Sequence, residues 1–198
     1  MEAPSILILG IGNILWADEG FGVRAVQALQ QAYHFPPEVS LLDGGTQGLA
    51  LIPYVQEAQV LLILDAVDFQ LQPGTLAELR DAEVPAYLGA KKMSLHQVSF
   101  QEVLALSQLL GGGPKQMLLI GVQPEILEDY GGSLSPAVKR QMRPAMDRVM
   151  AYLAEFGIQP EWQPASLSQV NGVEDMDEYE RQRPSAEAAC RFGDGRFL

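Results

Sequence analysis

Apolar runs recur along the chain, and most of them stop at a glycine or an aspartate. Ser5-Ile6-Leu7-Ile8-Leu9 halts at Gly10, Val39 to Leu42 halts at Asp43-Gly44-Gly45, and Gln59-Val60-Leu61-Leu62-Ile63-Leu64 halts at Asp65. Gln116 to Val122 repeats the pattern. A short run that is apolar at successive positions predicts a strand buried on both faces, as in parallel sheets. Thr75 to Leu79 alternates instead, as an edge strand would.

Helical spacing fills the gaps between the runs. Val23, Val26 and Leu29 predict a helix from Gly20 to about Tyr33, stopped by Pro36-Pro37. A second helix is expected from Gly48 to about Glu57, capped by Thr46 and kinked at Pro53. Residues 85–95 read as loop, and a third helix is expected from Ser99 to Leu110, broken by Gly111-Gly112-Gly113-Pro114. Ser135-Pro136 opens a long helix that ends at Gly157 and bends at Pro144. Strands alternating with helices predict a three-layer α/β/α sandwich, with a mostly parallel twisted sheet of four or five strands. Residues 1–160 make that domain, and 161–198 read as an acidic, loosely ordered tail.

Composition narrows the function. The 198 residues hold 25 acidic and 13 basic side chains, a net charge of −12. Such a chain repels phosphate backbones and anionic membrane surfaces, so neither nucleic acid nor membrane is expected as a partner. No stretch reaches the ~18 apolar residues of a membrane span, and no secretory signal opens the chain. Cys190 is the only cysteine, an incidental tail thiol that fits a reducing compartment; the expected location is the cytoplasm.

Candidate chemistry lies beyond the carboxyl ends of the strands, where open α/β sheets place their sites. Asp18 and Glu19 follow the first strand, while Asp43 and Asp65 end the second and third. Of two histidines, His34 reads as a capping or surface residue, and His96 lies in Met93-Ser94-Leu95-His96-Gln97, expected as loop. One imidazole with two carboxylates suits zinc, nickel or a similar divalent ion, but no spacing here is diagnostic. Asp43-Gly44-Gly45-Thr46 reads as plain turn chemistry or as a place where a peptide backbone approaches closely. Gly10-Ile11-Gly12 partly matches a dinucleotide fingerprint, but Leu15 holds the third glycine position and two acids lie where a pyrophosphate would dock. Ser94 and His96 lack a nucleophile elbow.

Five motifs in order resemble one family. They are Gly10-Ile11-Gly12-Asn13-Ile14-Leu15-Trp16-Ala17-Asp18-Glu19-Gly20-Phe21-Gly22, Asp43-Gly44-Gly45-Thr46, Leu64-Asp65-Ala66, Ser94-Leu95-His96-Gln97 and Gly121-Val122-Gln123-Pro124. Together they resemble the nickel–iron hydrogenase maturation proteases, closest to the branch serving membrane-bound uptake hydrogenases, over roughly residues 5–157. The resemblance implies an endopeptidase that removes the C-terminal extension of the hydrogenase large-subunit precursor after nickel insertion. It implies Glu19, Asp65 and His96 as metal ligands, with nickel brought by the substrate and zinc able to take its place in isolation. It also implies a functional role for Asp43, here expected to be catalytic, with Gly44, Gly45 and Thr46 as substrate contacts. Leu95 stands where several relatives have proline, which leaves that loop less rigid. Two other functions stand as alternatives: a non-enzymatic nickel metallochaperone, which would use the same three residues, and a nucleotide-dependent oxidoreductase on the same sheet, against which Leu15 and the acids beside it speak.

Overall fold

The computed structural model describes residues 4–90 and 95–163, with the backbone alone for 88–90 and 95–99. Its centre is a five-stranded sheet in the order β3-β1-β4-β6-β5. The strands are β1 (Ile6–Ile11), β3 (Val39–Gly45), β4 (Val60–Ala66), β5 (Leu76–Arg80) and β6 (Gln116–Val122). The first four in the spatial order run parallel, and β5 pairs antiparallel with β6 at the edge. A small ribbon, β2 (Tyr33–His34) with β7 (Glu161–Trp162), lies apart.

Side-chain alternation splits the core in two. Ile6, Ile8, Leu62, Leu64, Leu118 and Ile120 face a layer made by α1 (Phe21–Ala32) and α6 (Met142–Glu155). Leu7, Leu9, Leu61, Ile63 and Leu119 face the other layer, made by α2 (Ile52–Glu57) and α4 (Leu95–Leu109), with α3 (Glu83–Ala90) beside α4. The central strand β4 is buried at every position, which is why its sequence is an unbroken apolar run up to Asp65.

Several local expectations differ from the structure. Residues 83–90 form α3, because Pro85 falls in its first turn, where a missing N–H costs no intrahelical bond. Helix α4 begins at Leu95 rather than Ser99, so His96 lies in its first turn and not in a loop. Thr46 caps nothing: a 3-10 turn over Gly48–Leu51 leads into α2, and Pro53 sits in that helix's first turn without a kink. The helix expected from Ser135 to Gly157 is two helices, α5 (Pro136–Lys139) and α6, which places Pro144 in the first turn of α6. Ser135 does cap α5, accepting the Val138 N–H at 3.3 Å. The first helix stops at Ala32, ahead of Pro36, since Tyr33–His34 pairs with Glu161–Trp162. Residues 161–162 therefore belong to the folded body; Cys190 and the rest of the expected tail from 164 onward lie outside the described residues.

Candidate active site

The carboxyl end of the sheet gathers the candidate residues. In register, Gly10 of β1 stands opposite Asp43 of β3 on one side and Leu64 of β4 on the other. Asp65, one residue further along, stands opposite Gly121 of β6. With neighbouring strands about 4.8 Å apart, Asp43 and Asp65 flank β1 at a backbone separation of roughly 10 Å.

They do not share a face. Asp65 continues the alternation of Leu61 and Ile63, so it stands on the α2/α4 side, and it is 2% exposed. Asp43 continues that of Val39 and Leu41, so its carboxyl meets α1. There it accepts hydrogen bonds from the Gly45 N–H and the Gln27 side chain, with Arg24 nearby; Arg24 in turn donates to Gln27 Oε1 at 3.4 Å. Partial burial outweighs these three stabilising contacts and raises the Asp43 pKa above the ordinary aspartate value. Just past Asp43 the β1–β3 pairing is irregular, since Ile11 pairs with Gly45 rather than Gly44.

Glu19 reaches the same end by a different route. It lies in a 3-10 turn, Ala17–Gly20, that joins β1 to α1 and packs on β4. Glycines make that approach possible. A Cβ on Gly22 would collide with the Leu64 and Ile11 carbonyl oxygens, and one on Gly12 with the Glu19 carbonyl oxygen. Gly12 also has φ +130°, a conformation open to glycine and strained for other residues. The Glu19 backbone is thus seated against the turn that leaves β1, three residues before the helix lies on the Asp65-bearing strand.

His96 occupies the first turn of α4, on the same face of the sheet as Asp65, and its side chain lies outside the described residues. Among the described residues, no three His, Cys, Asp or Glu side chains are placed to hold a metal ion. The trio of Glu19, Asp65 and His96 is outside that statement, because one of its members is. Lys91 to Ser94 of the histidine motif are outside the described residues too.

Asp18 has a role that its sequence position beside Glu19 disguises. It is fully buried, and its carboxylate accepts the backbone N–H groups of Glu125 at 2.8 Å, Ile126 at 2.8 Å and Ser135 at 2.6 Å. The Asp18 N–H donates to Ile126 O at 3.1 Å, and Gly131 N–H to Leu15 O at 2.8 Å. Segment 123–135 is thereby pinned to the turn that carries Glu19. Gln123 does similar work on the next loop. Its Oε1 accepts from the N–H groups of Phe69 and Leu71, and its Nε2 donates to Asp68 Oδ1 at 3.0 Å. The loop leaving Asp65 is held that way. The sequence flags both residues as motif members, but their hydrogen-bond partners lie 52 to 117 positions away.

Thr46 is exposed, and Gln47 Nε2 donates to Asp43 O at 3.1 Å, closing the Asp43–Thr46 turn on itself. Gly44 is buried against Leu9 and Leu51, so any close backbone approach falls to the Gly45–Thr46 side.

Comparison with known proteins agrees on one family. The family described as HycI, hydrogenase maturation protease, matches residues 23–152. The chain is 53% identical over 199 residues to the hydrogenase expression/formation protein HupD of Thiocapsa roseopersicina, covering 98% of this chain and 90% of that one. It is 45% identical over 155 residues to the hydrogenase 2 maturation protease of Escherichia coli (strain K12), covering 78% of this chain and 93% of the relative. Among solved structures it resembles the hydrogenase maturating endopeptidase HybD from E. coli, with a TM-score of 0.76 and 42% identity across 80% of this chain and 97% of that one. The sequence motifs, the mostly parallel sheet and these likenesses place the chain in the hydrogenase maturation protease family.

Proposed function

We propose that this endopeptidase removes the C-terminal extension of the nickel–iron hydrogenase large-subunit precursor, and that it recognises the precursor through the precursor's own nickel. Glu19, Asp65 and His96 are the residues that would meet that ion. The observation that supports the reading is that the buried carboxylate Asp65 and helix α4, which carries His96 in its first turn, lie on one face of the sheet, with the Glu19 turn packed on the Asp65 strand. Two carboxylate oxygens and one imidazole nitrogen fit a borderline divalent ion, so nickel suits the set, and zinc would suit it in isolation. A bound ion would supply charge stabilisation and a polarising centre beside the scissile peptide.

The chain's own residues account for the remaining requirements. The Asp43 carboxyl, across β1, has its pKa raised by burial, which makes it a better proton acceptor than an ordinary aspartate once ionised. It stands at the rim, beside Gly45 and Thr46, where an extended peptide would lie. Asp43 is therefore assigned as the general base for the attacking water, with Gly44, Gly45 and Thr46 shaping the turn against which the substrate rests. One cysteine in 198 residues supports a cytoplasmic setting, and no helix among the described residues is long and apolar enough to cross a membrane.

The metallochaperone alternative uses the same ligands without cleavage. Purified chain is mixed with large-subunit precursor carrying or lacking nickel, and the large subunit is weighed by mass spectrometry. Shortening of the nickel-loaded precursor alone is expected. Equal shortening of both forms would refute recognition through nickel, and binding without shortening would favour the chaperone.

A further inference from the structure

Beside the Glu19 turn the surface carries four large apolar side chains in two sequence-distant segments. Leu15 is 45% exposed, Trp16 37%, Ile126 42% and Tyr130 52%. They form one patch. Trp16 and Tyr130 are bridged through their backbones, and their rings stand edge to face with centroids 5.3 Å apart. The Leu15 carbonyl accepts from Gly131, and the Ile126 carbonyl accepts from Asp18. This surface is rigid for a loop surface, because the buried Asp18 carboxylate fixes the backbone beneath it with three hydrogen bonds. Apolar side chains grouped and held in this way mark an interaction surface. Trp and Tyr are also the residue types enriched at binding hot spots.

Charge tells what kind of partner fits. Residues 13–20 and 123–132 contain Asp18, Glu19, Glu125, Glu128 and Asp129, and no lysine or arginine. Glu125 and Glu128 are exposed and lie within two residues of Ile126 along the chain. An apolar centre with an acidic rim is complementary to a segment that combines aliphatic side chains with lysine or arginine. The patch also adjoins the turn of Glu19: the Glu19 N–H donates to the Trp16 carbonyl at 2.8 Å. Whatever docks on the patch lies one turn from the candidate metal ligand.

We propose that Leu15, Trp16, Ile126 and Tyr130 are the docking platform for a basic and aliphatic segment of the large-subunit precursor, placed so that the bound chain runs from the patch toward Glu19. The assignment rests on the function proposed above, but it concerns binding rather than cleavage. The platform supplies affinity through buried apolar area, and the acidic rim steers the cationic segment onto it.

The test measures binding and cleavage separately. Binding of nickel-loaded precursor is read by interferometry for the wild-type full chain, Ile126→Ser, Tyr130→Ser and the charge reversal Glu128→Lys. Leu110→Ser serves as a control, because Leu110 is an exposed residue just beyond the far end of α4. Melting temperature is followed for each protein. The two patch variants are expected to weaken binding at least tenfold. Glu128→Lys is expected to weaken it severalfold and to flatten the dependence of affinity on salt, while Leu110→Ser binds as wild type does. Unchanged binding by folded patch variants overturns the proposal. If both patch variants fail to fold, Glu128→Lys decides the matter alone, and its binding like wild type overturns the proposal. Self-association of the wild-type chain that the patch variants abolish, with precursor binding intact, would instead assign the patch to a second copy and overturn it. Loss of cleavage by the wild type, read in the same samples, would count against the proposed function and leave the binding result standing.

Discussion

Asp43 and Asp65 close two strands on either side of β1, yet the molecule treats them differently. Asp65 lies near the end of the central strand, is buried, and faces the layer whose helix α4 carries His96 in its first turn. Asp43 lies near the end of the edge strand β3, is only partly buried, and turns toward Arg24 and Gln27 of α1. Two carboxylates at the ends of strands on either side of β1 thus face opposite sides of one sheet. A strand's period of two decides this: a single step in register moves a side chain from one layer to the other. Position along the sheet edge gathers candidate residues; parity along the strand sorts them into roles. The central end is also the more firmly built of the two. Glycine packing at Gly12 and Gly22 and the buried Asp18 lock the Glu19 turn, whereas the Asp43 turn is held by its own bulge and by Gln47.

The largest effect that would break this contrast falls on the central end. Asp18→Asn keeps the shape but offers one acceptor oxygen where three N–H groups now donate to a carboxylate. Leaving buried donors poorly satisfied costs about 3 kcal/mol, which urea denaturation will show as a lower midpoint with an unchanged slope. Asp43→Asn, on the exposed side, is expected to shift that midpoint far less. A midpoint for Asp18→Asn equal to wild type would mean that segment 123–135 is held by something else.

The smaller effect concerns pH. The folded-state pKa of Asp43 lies above its unfolded value, so ionisation of this group opposes folding. The cost is present above the folded pKa and is relieved as pH falls through it. Wild type should therefore gain stability relative to Asp43→Asn as the solution is acidified through that range, by a modest amount because the group is partly solvated. In the cleavage assay the acid limb of the wild-type profile should be displaced upward from the ordinary aspartate value. A limb at the ordinary value would remove Asp43 from the role of base.

Much of this was legible in the sequence. The apolar runs ending at Leu9, Leu42, Leu64 and Val122 named four parallel strands, because burial on both faces leaves little room for polar residues. The alternation after Thr75 named an edge strand, whose antiparallel direction only the pairing shows. Proline inside a helical pattern suggests a kink at Pro53 and a bend at Pro144, and the stretch from Pro85 shows no helical pattern of its own. All three fall in first turns, where proline's lost N–H would be unpaired anyway. The order of the motifs brought Glu19, Asp43 and Asp65 to one edge, but the opposite facing of Asp43 and Asp65 follows from the parity of each strand relative to its neighbours, which is fixed only by the pairing register. The structural role of Asp18, grouped in sequence with Glu19 among the acids after the first strand, is not legible locally: its three partners are more than a hundred residues away in sequence.

The assignment of Glu19, Asp65 and His96 to the substrate's nickel is tested most directly by X-ray absorption at the nickel edge, recorded on loaded precursor alone and in complex with wild type, His96→Gln, Asp65→Asn and Asp43→Asn. Docking of wild type and of Asp43→Asn should add imidazole and carboxylate scattering to the nickel shell, and His96→Gln should lose the imidazole part. A nickel shell that docking leaves unchanged, or one altered alike by all four proteins, contradicts the account.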